Sequence, residues 1–356
     1  MAIRQLSLTD FRNLQSTTLD FHPSFNLITG LNGSGKTSLL EAIHVVSQGQ
    51  SFKTRHLDQC IQYGQNSFLI FSLFEKYKVG ISRSSNKSII RIDNETLQRL
   101  SQLIEKTACL VIDASSYELV LGKPSDRRKY LDWCLFHVEH HYHGLWLEFR
   151  HALKQRNALL KKRQNTKQLD YWDEYLASRC IEIKALRSRC VDRIMEIIDQ
   201  SLHSTINSTK FNLTYEPGWM DRTDLVELYK LERNIDLKYG FTRSGIHRDD
   251  LKMTSQGIPI KENLSRGQIK KVSIILILAQ LMLVKSFSNK PILLLMDDLH
   301  SELDLNTLNT FLDFLSSLDI QQFLTHIDTD LRHVQIPKES KMFHVEHGMI
   351  KPVKNP

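Results

Sequence analysis

The stretch Gly30-Leu31-Asn32-Gly33-Ser34-Gly35-Lys36-Thr37 sets three glycines just ahead of a lysine and a threonine. It fits G-x-x-x-x-G-K-[ST], with an apolar strand pattern before it and a helical pattern after it. In such a loop successive backbone N–H groups curl around a phosphate chain, and the helix N-terminus adds partial positive charge. Lys36 is expected to reach the outer phosphates and Thr37 to ligate Mg²⁺. Gly30, Asn32, Gly33, Ser34, Gly35 and Ser38 complete the expected contact set.

Holding a triphosphate is not cleaving it. Cleavage needs an acid on the metal side and a group that orients water. "PILLLMDDLHSELD", residues 291–304, supplies both: a buried-type strand that delivers Asp297 at its carboxyl end, followed by Asp298. In an open α/β sheet, ligands bind at the carboxyl ends of strands. Asp297 is the expected metal-side acid, with Thr37, and Asp298 the residue that polarises the water. Further upstream, Leu264-Ser265-Arg266-Gly267-Gln268 precedes a long apolar helix. Ser265 is a good N-cap and Gly267 permits close backbone approach, so this helix start is a second candidate anion site.

These residues need a scaffold. Residues 1–112 read as strands with one helix, from Lys36 to about Val46. Residues 240–356 mix a long helix from Ser265, buried strands and a terminal hairpin-like pair. Between them, 113–239 reads as mainly helical, with Pro124 as a first-turn proline and turn chemistry near Tyr215-Pro217-Gly218. The expectation is an α/β domain split between the two ends of the chain, with a helical lobe inserted.

The composition agrees. The chain has 356 residues, suited to two domains or to one domain with a large insertion, and its formal charge of +7 permits a polyanionic partner. Five scattered cysteines, never spaced C-x-x-C, fit a reducing cytoplasm and no metal–thiolate site. The apolar run Val272–Val284 falls short of the ~20 residues that span a bilayer, so no membrane association is expected.

Three motifs in this order, with Ser301-Glu302-Leu303-Asp304 behind the acidic strand, resemble the ATP-binding-cassette ATPases, in particular the heads of SMC and Rad50 proteins. "LTDFRNL" (8–14), "QSFKT" (50–54), "GKPSDRRKYLDWCLF" (122–136), "LKQRNALLK" (153–161), "GIHRDDL" (245–251), "LSRGQIKK" (264–271) and "DDLHSELD" (297–304) narrow the resemblance to the bacterial RecF family across essentially the whole chain. The resemblance implies a P-loop ATPase head with a short helical second lobe. It implies ATP and Mg²⁺ as cofactors and an ATP-bridged homodimer. Lys36 and Asp297 of one chain would then face Ser265, Gly267 and Gln268 of its copy, with Asp304 at the seam and Arg12 near the phosphates. It also implies that the dimer clamps DNA and releases it on hydrolysis, and acts with RecR and RecO to direct RecA onto gapped DNA.

Several positions depart from the family pattern. Asp113-Ala114-Ser115-Ser116 stands where Pro-Glu is usual, Ile246 replaces a proline, and Lys53 replaces a commoner arginine, trading a fork of donors for a point charge. Asp298 stands where most such ATPases have glutamate, so slow turnover is expected.

DNA contact is expected on residues 150–167, where Arg150, Lys154, Arg156, Lys161, Lys162 and Arg163 occur with no acid among them. Such a stripe neutralises phosphates without reading bases. A solvated helix face is the alternative. His137 and His141 have helix-borne i, i+4 spacing, yet surface or packing histidines are the expectation there. Two other functions stay open: a nucleotide-gated scaffold with little turnover, and a P-loop kinase or GTPase. Asn289-Lys290 is followed by Pro291, so the base-reading Asn-Lys-x-Asp of a GTPase is missing.

Overall fold

The computed structural model describes residues 2–163, 167–203, 209–220, 224–299, 303–327 and 335–353. By internal contacts the chain divides into one unit of Met1–Ser116 with Ser288–Pro356 and another of Tyr117–His203 with Ser208–Phe287.

The first unit carries two six-stranded sheets. One contains β1 (Ile3–Thr9), β2 (Thr17–Asp20), β4 (Ser67–Phe74), β5 (Lys78–Ser84), β6 (Ser88–Ile92) and β7 (Glu95–Thr96), in the order β2-β1-β4-β5-β6-β7 and antiparallel throughout. Burial alternates along β4, as it must where one face is covered and the other meets solvent.

The other sheet contains β3 (Phe25–Thr29), β8 (Ala108–Ile112), β12 (Ile292–Met296), β13 (Gln321–His326), β14 (Ser340–Glu346) and β15 (Met349–Val353), in the order β15-β14-β3-β13-β12-β8. All its pairs are parallel except the β14–β15 hairpin. Strands β3, β12 and β13 are buried at every residue, which explains their unbroken apolar or small-polar reading. Helix α1 (Lys36–Gln48) packs on both sheets, against β4 and β5 on one side and β8 and β13 on the other. Leu39, Leu40 and Ile43 place it in the shared core.

The second unit is mainly helical, built from α2 (Pro124–Val138), α3 (Tyr142–Lys161), α4 (Lys167–Ile197), α5 (Leu225–Tyr239) and α6 (Arg266–Phe287). It also holds a three-stranded sheet, β11-β10-β9, from β9 (Asn212–Glu216), β10 (Asp250–Ser255) and β11 (Ile258–Pro259). Tyr215 is therefore a strand residue, and the turn begins only at Pro217. The stretch 240–287, expected with the C-terminal head segment, packs instead with the helical lobe. The reasons are concrete: α6 lies against α2 and α4, and Arg127 on α2 grips Asp250 on β10 with two bonds of 2.7 and 2.9 Å. Helix α6 is apolar enough to resemble a membrane span, yet most of it is buried in this unit. Its polar side chains are satisfied there: Ser273 bonds the Ile269 carbonyl and Gln280 the Tyr130 carbonyl.

Arg156 corrects the expected DNA-contact set. It is fully buried, with Nε 2.6 Å from Asp173 and Nη1 2.7 Å from Asp236 and 2.8 Å from the Thr242 hydroxyl. Its guanidinium also lies 4.5 Å from the centre of the Tyr229 ring. The helix period is the cause: Phe149, Ala152, Arg156 and Leu160 share the buried face of α3, and Asp173 and Asp236 come to meet the charge. Arg150, Lys154, Lys161, Lys162 and Arg163 are exposed, as the stripe requires. Removing one partner of a buried ion cluster leaves the others uncompensated. Arg156→Ala is therefore expected to destabilise the protein by about 3–5 kcal/mol, whereas exposed Lys154→Ala should stay within about 0.5 kcal/mol. Urea unfolding of both variants checks the contrast.

Candidate functional site

The glycine loop joins the end of β3 to the start of α1. Gly30 has φ 147°, and a Cβ there would overlap the Val345 carbonyl oxygen of β14, so only glycine fits. The terminal hairpin turn supports the loop from behind. Gly348 N donates to the Ser34 carbonyl at 2.9 Å, and a Cβ on Gly348 would strike the Asn13 backbone. Lys36 folds back over the loop, donating to the carbonyls of Gly30 at 2.7 Å and Leu31 at 3.0 Å. Helix α1 has no side-chain cap, so its first N–H groups have no capping side chain between them and a ligand.

Opposite this loop, Asp297 follows β12. The Thr37 hydroxyl lies 3.0 and 2.9 Å from its two carboxylate oxygens, and Thr325 at the end of β13 donates to Oδ1 at 2.9 Å. The same Thr325 oxygen accepts the Asp298 N–H at 2.9 Å. Asp298 has φ 59°, a left-handed conformation that is uncommon for a residue with a Cβ and concentrates at functional sites. A cleft of about 410 Å³ opens between loop and strand end, lined on the loop side by Asn32, Gly33, Gly35, Lys36, Thr37 and Ser38 and opposite by Asp297 and Asp298. Gly30 and Ser34 stand behind that wall.

Three further residues line the cleft that the motifs had not assigned: Asn13, Lys53 and Ala114. Asn13 accepts from the Ser38 hydroxyl at 2.8 Å and sends its amide toward the Gly33 carbonyl at 3.3 Å. Its neighbour Arg12, expected near the phosphates, is engaged elsewhere. Its guanidinium forms a two-pronged pair with Glu41, 2.8 and 2.7 Å, and donates to the Gln59 carbonyl at 2.8 Å. Burial alone would push the Glu41 carboxyl up. Hydrogen bonds from Arg12 and Ser51, with the Arg12 charge, outweigh that and hold it below the usual carboxylate range.

The other candidates belong to other places in the chain. Ser265 and Gln268 form a reciprocal cap on α6: Ser265 N donates to the Gln268 side chain at 2.9 Å, and Gln268 N to the Ser265 hydroxyl at 3.3 Å. Ser265, Gly267 and Gln268 are exposed, and a Cβ on Gly267 would meet nothing within 4 Å among the described residues. Asp304 caps α7 (Leu305–Ser316), accepting from Thr307 N at 2.9 Å. Ser301 and Glu302 lie outside the described residues.

The motif on α2 and the motif leading into β10 turn out to serve each other. Arg127 grips Asp250, Arg128 donates to the Asp249 carbonyl at 2.6 Å, and Arg187 joins Asp132 at 2.5 Å to the Asp249 carboxylate. Ile246, at the missing proline, is buried, and its turn is closed by Arg248 N on the Gly245 carbonyl at 2.9 Å.

The oxygen ligands at Thr37 and Asp297 suit a hard cation such as Mg²⁺, which favours one or two carboxylates plus phosphate oxygens. The backbone cradle with Lys36 suits a phosphate chain. Comparison with known proteins agrees with this chemistry. The profile of the RecF/RecN/SMC N terminal domain family matches residues 2–351. The chain is 34% identical to the DNA replication and repair protein RecF of Shewanella baltica (strain OS223), over 98% of this chain and 99% of that one. It is 35% identical to the protein of the same name from Idiomarina loihiensis, again over 98% and 99%. A solved structure of the recombination mediator protein RecF with ATP, in the RecFOR pathway, superposes with a TM-score of 0.87 at 26% identity, over 99% of this chain and 98% of that one. An SMC head bound to the C-winged helix domain of ScpA shares the fold, with a TM-score of 0.59 at 14% identity. A glycine-loop ATPase head with its acidic strand end, an inserted helical lobe and full-length similarity to these proteins together place this chain in the RecF family.

Proposed function

We propose that this chain is an ATP-dependent DNA-binding protein of recombinational repair, a slow ATPase that dimerises on ATP. The observation that carries the reading is the meeting of Thr37 with Asp297 across 260 positions of sequence, at the mouth of the glycine loop. In this reading the N–H groups of Gly33, Gly35 and Lys36 and the Lys36 ammonium hold the triphosphate. Thr37 and Asp297 hold Mg²⁺, which supplies charge neutralisation at the phosphate oxygens. Asp298 orients the attacking water. Its carboxylate is one methylene shorter than the usual glutamate, which favours slow turnover and keeps open the reading of a nucleotide-gated scaffold.

A copy of the chain completes the site with Ser265, Gly267 and Gln268. Gly267 supports this. Glycine is a poor helix former, and no neighbour within 4 Å among the described residues calls for it. An incoming phosphate chain does. The γ-phosphate gives the capped helix donors a ligand that ADP lacks, and that differential contact drives dimerisation. The dimer then holds DNA through Arg150, Lys154, Lys161, Lys162 and Arg163, largely without regard to sequence, and acts with RecR and RecO in loading RecA in the cytoplasm.

Sedimentation tests the shared site: Ser265→Arg should still bind ATP yet remain monomeric where the parent dimerises. Dimerisation of that variant to the parent's extent would end the model. Asp298→Asn should bind ATP and dimerise while phosphate release falls at least tenfold; unchanged release would remove Asp298 from the water-orienting role. For DNA, a Lys154/Lys161/Lys162→Gln triple variant should lower the slope of log K against log [salt] by up to about 0.9 per lost duplex phosphate contact. An unchanged slope would move the DNA elsewhere.

A further inference from the structure

Lys53 sits at the metal side of the cleft with its ammonium between two carboxylates. Its Nζ is 3.6 Å from Asp297 Oδ2 and 3.5 Å from Asp113 Oδ2. Asp113 is not there by accident of rotamer. The Ser115 N–H and hydroxyl both donate to its Oδ1, at 2.9 and 2.7 Å, and its own N–H bonds the Ser116 hydroxyl at 2.9 Å. That local turn fixes one carboxylate oxygen and leaves the other aimed at Lys53. Lys53 is steadied in turn by its position over the Phe52 ring, 5.2 Å from the centre, and by the Lys53 N–H on the Ser51 hydroxyl at 2.9 Å. Its side chain remains 38% exposed, so it can move.

We infer that Lys53 is a resident counter-cation that occupies the metal side of the cleft until nucleotide arrives, and that it couples divalent-cation binding to nucleotide binding. The inference rests on the cleft being the nucleotide site. Without Lys53, Asp113 and Asp297 present two carboxylates to one region of space, beside the Thr37 hydroxyl. Such an oxygen set attracts a hard divalent cation, though weakly, since no group of three or more His, Cys, Asp or Glu side chains among the described residues could hold one. With Lys53 in place, a divalent cation must approach a positive charge that already compensates those carboxylates. A triphosphate changes the balance. It brings several negative charges into the cleft, gives the Lys53 ammonium another anion to pair with, and frees Asp297. Lys53 thus makes different contacts with and without nucleotide, which is what coupling between two ligands requires. It is a positioning residue for the cation rather than a group that acts on the reacting bond.

The test uses the full-length chain and Mn²⁺ as the probe, read by electron paramagnetic resonance of the free ion. No nucleotide is present in the first arm. Lys53→Met and Lys53→Gln should bind Mn²⁺ at least about tenfold more tightly than the parent, the order of effect of losing a like charge ~4 Å away in partly screened surroundings. Lys53→Arg, which keeps the charge, should match the parent. Equal Mn²⁺ affinity in the parent and both neutral variants would overturn the inference, as would tightening by Lys53→Arg equal to that of Lys53→Met. The second arm repeats the titration with a non-hydrolysable ATP analogue. The factor by which nucleotide tightens Mn²⁺ should shrink by about the same tenfold in the neutral variants, and an undiminished factor would count against the coupling. A parent that binds no nucleotide would instead refute the proposed ATP site, a failure separate from the nucleotide-free arm.

Discussion

One carboxylate holds the catalytic end of the head together. Asp297 accepts hydrogen bonds from Thr37, at the start of α1, and from Thr325, at the end of β13. Both bonds depend on the register of a parallel sheet. Met296, the last residue of β12, pairs with Leu324, and Leu324 with Leu27, so the carboxyl ends of β12 and β13 lie beside that of β3 from the far end of the chain. Parallel strands all deliver their carboxyl ends to the same edge, and side chains placed just past those ends converge. A shift of one residue between β12 and β13 would turn Asp297 from the cleft and strand Thr325. Strand β14 extends the arrangement: it pairs with β3 on its other side, and its hairpin carries Gly348 to the back of the glycine loop. The loop is thus fixed from both sides before any ligand is present.

The helical unit is governed by a different constraint, the pairing of buried charge. Arg156 and Arg187 are both nearly or wholly buried, and each is surrounded by aspartates drawn from distant segments. Buried ion clusters add little net stability over a well-packed apolar core, because desolvation offsets most of the attraction. They do penalise misassembly, since a wrong pairing strands a charge in a poorly solvating interior. Arg127 with Asp250, and Arg187 with Asp249, tie α2 to β10 and α4 to the residue just ahead of it. That tie accounts for residues 240–287 belonging with this unit although a reading of strand and helix patterns assigned them to the head.

How much was legible in sequence follows from how local each feature is. The glycine loop, the apolar strand ending in Asp297 and the Ser265–Gln268 cap are encoded within a few residues, and the structure forms each of those local arrangements. The small sheet of the helical unit was hidden because β9 is only five residues long and pairs with β10 across more than thirty intervening positions. Charge alone places Arg156 in the exposed basic stripe. The period of Tyr142, Leu145, Phe149, Ala152, Arg156 and Leu160 along one buried face carried the signal that it faces inward. Arg12 is the residue expected near the phosphates, yet its neighbour Asn13 lines the cleft: one position separates the side chain turned to Glu41 from the one turned to the cleft, and the positive φ of Arg12 breaks the simple alternation. Lys53 and Asp113 had no recognisable spacing, since the fold alone brings them to Asp297.

The capped helix raises a question of valence. Ser265 spends its hydroxyl on capping its own helix, and the proposed contact asks the same hydroxyl to meet the phosphate of a partner. The two demands do not compete. A hydroxyl has two acceptor lone pairs and one donor, and the cap uses only an acceptor, toward Gln268 N. The donor is left by the cap for an anion, and the cap fixes where the oxygen stands. Gln268 is likewise held, by Ser265 N through its carbonyl oxygen and by the Thr209 hydroxyl through its amide. Capping therefore preorganises these two side chains for the proposed contact, so that less conformational freedom is lost when an anion docks. The arrangement also accounts for serine rather than aspartate at a position where either would cap well: a carboxylate there would cap the helix equally and repel the phosphate it is proposed to meet.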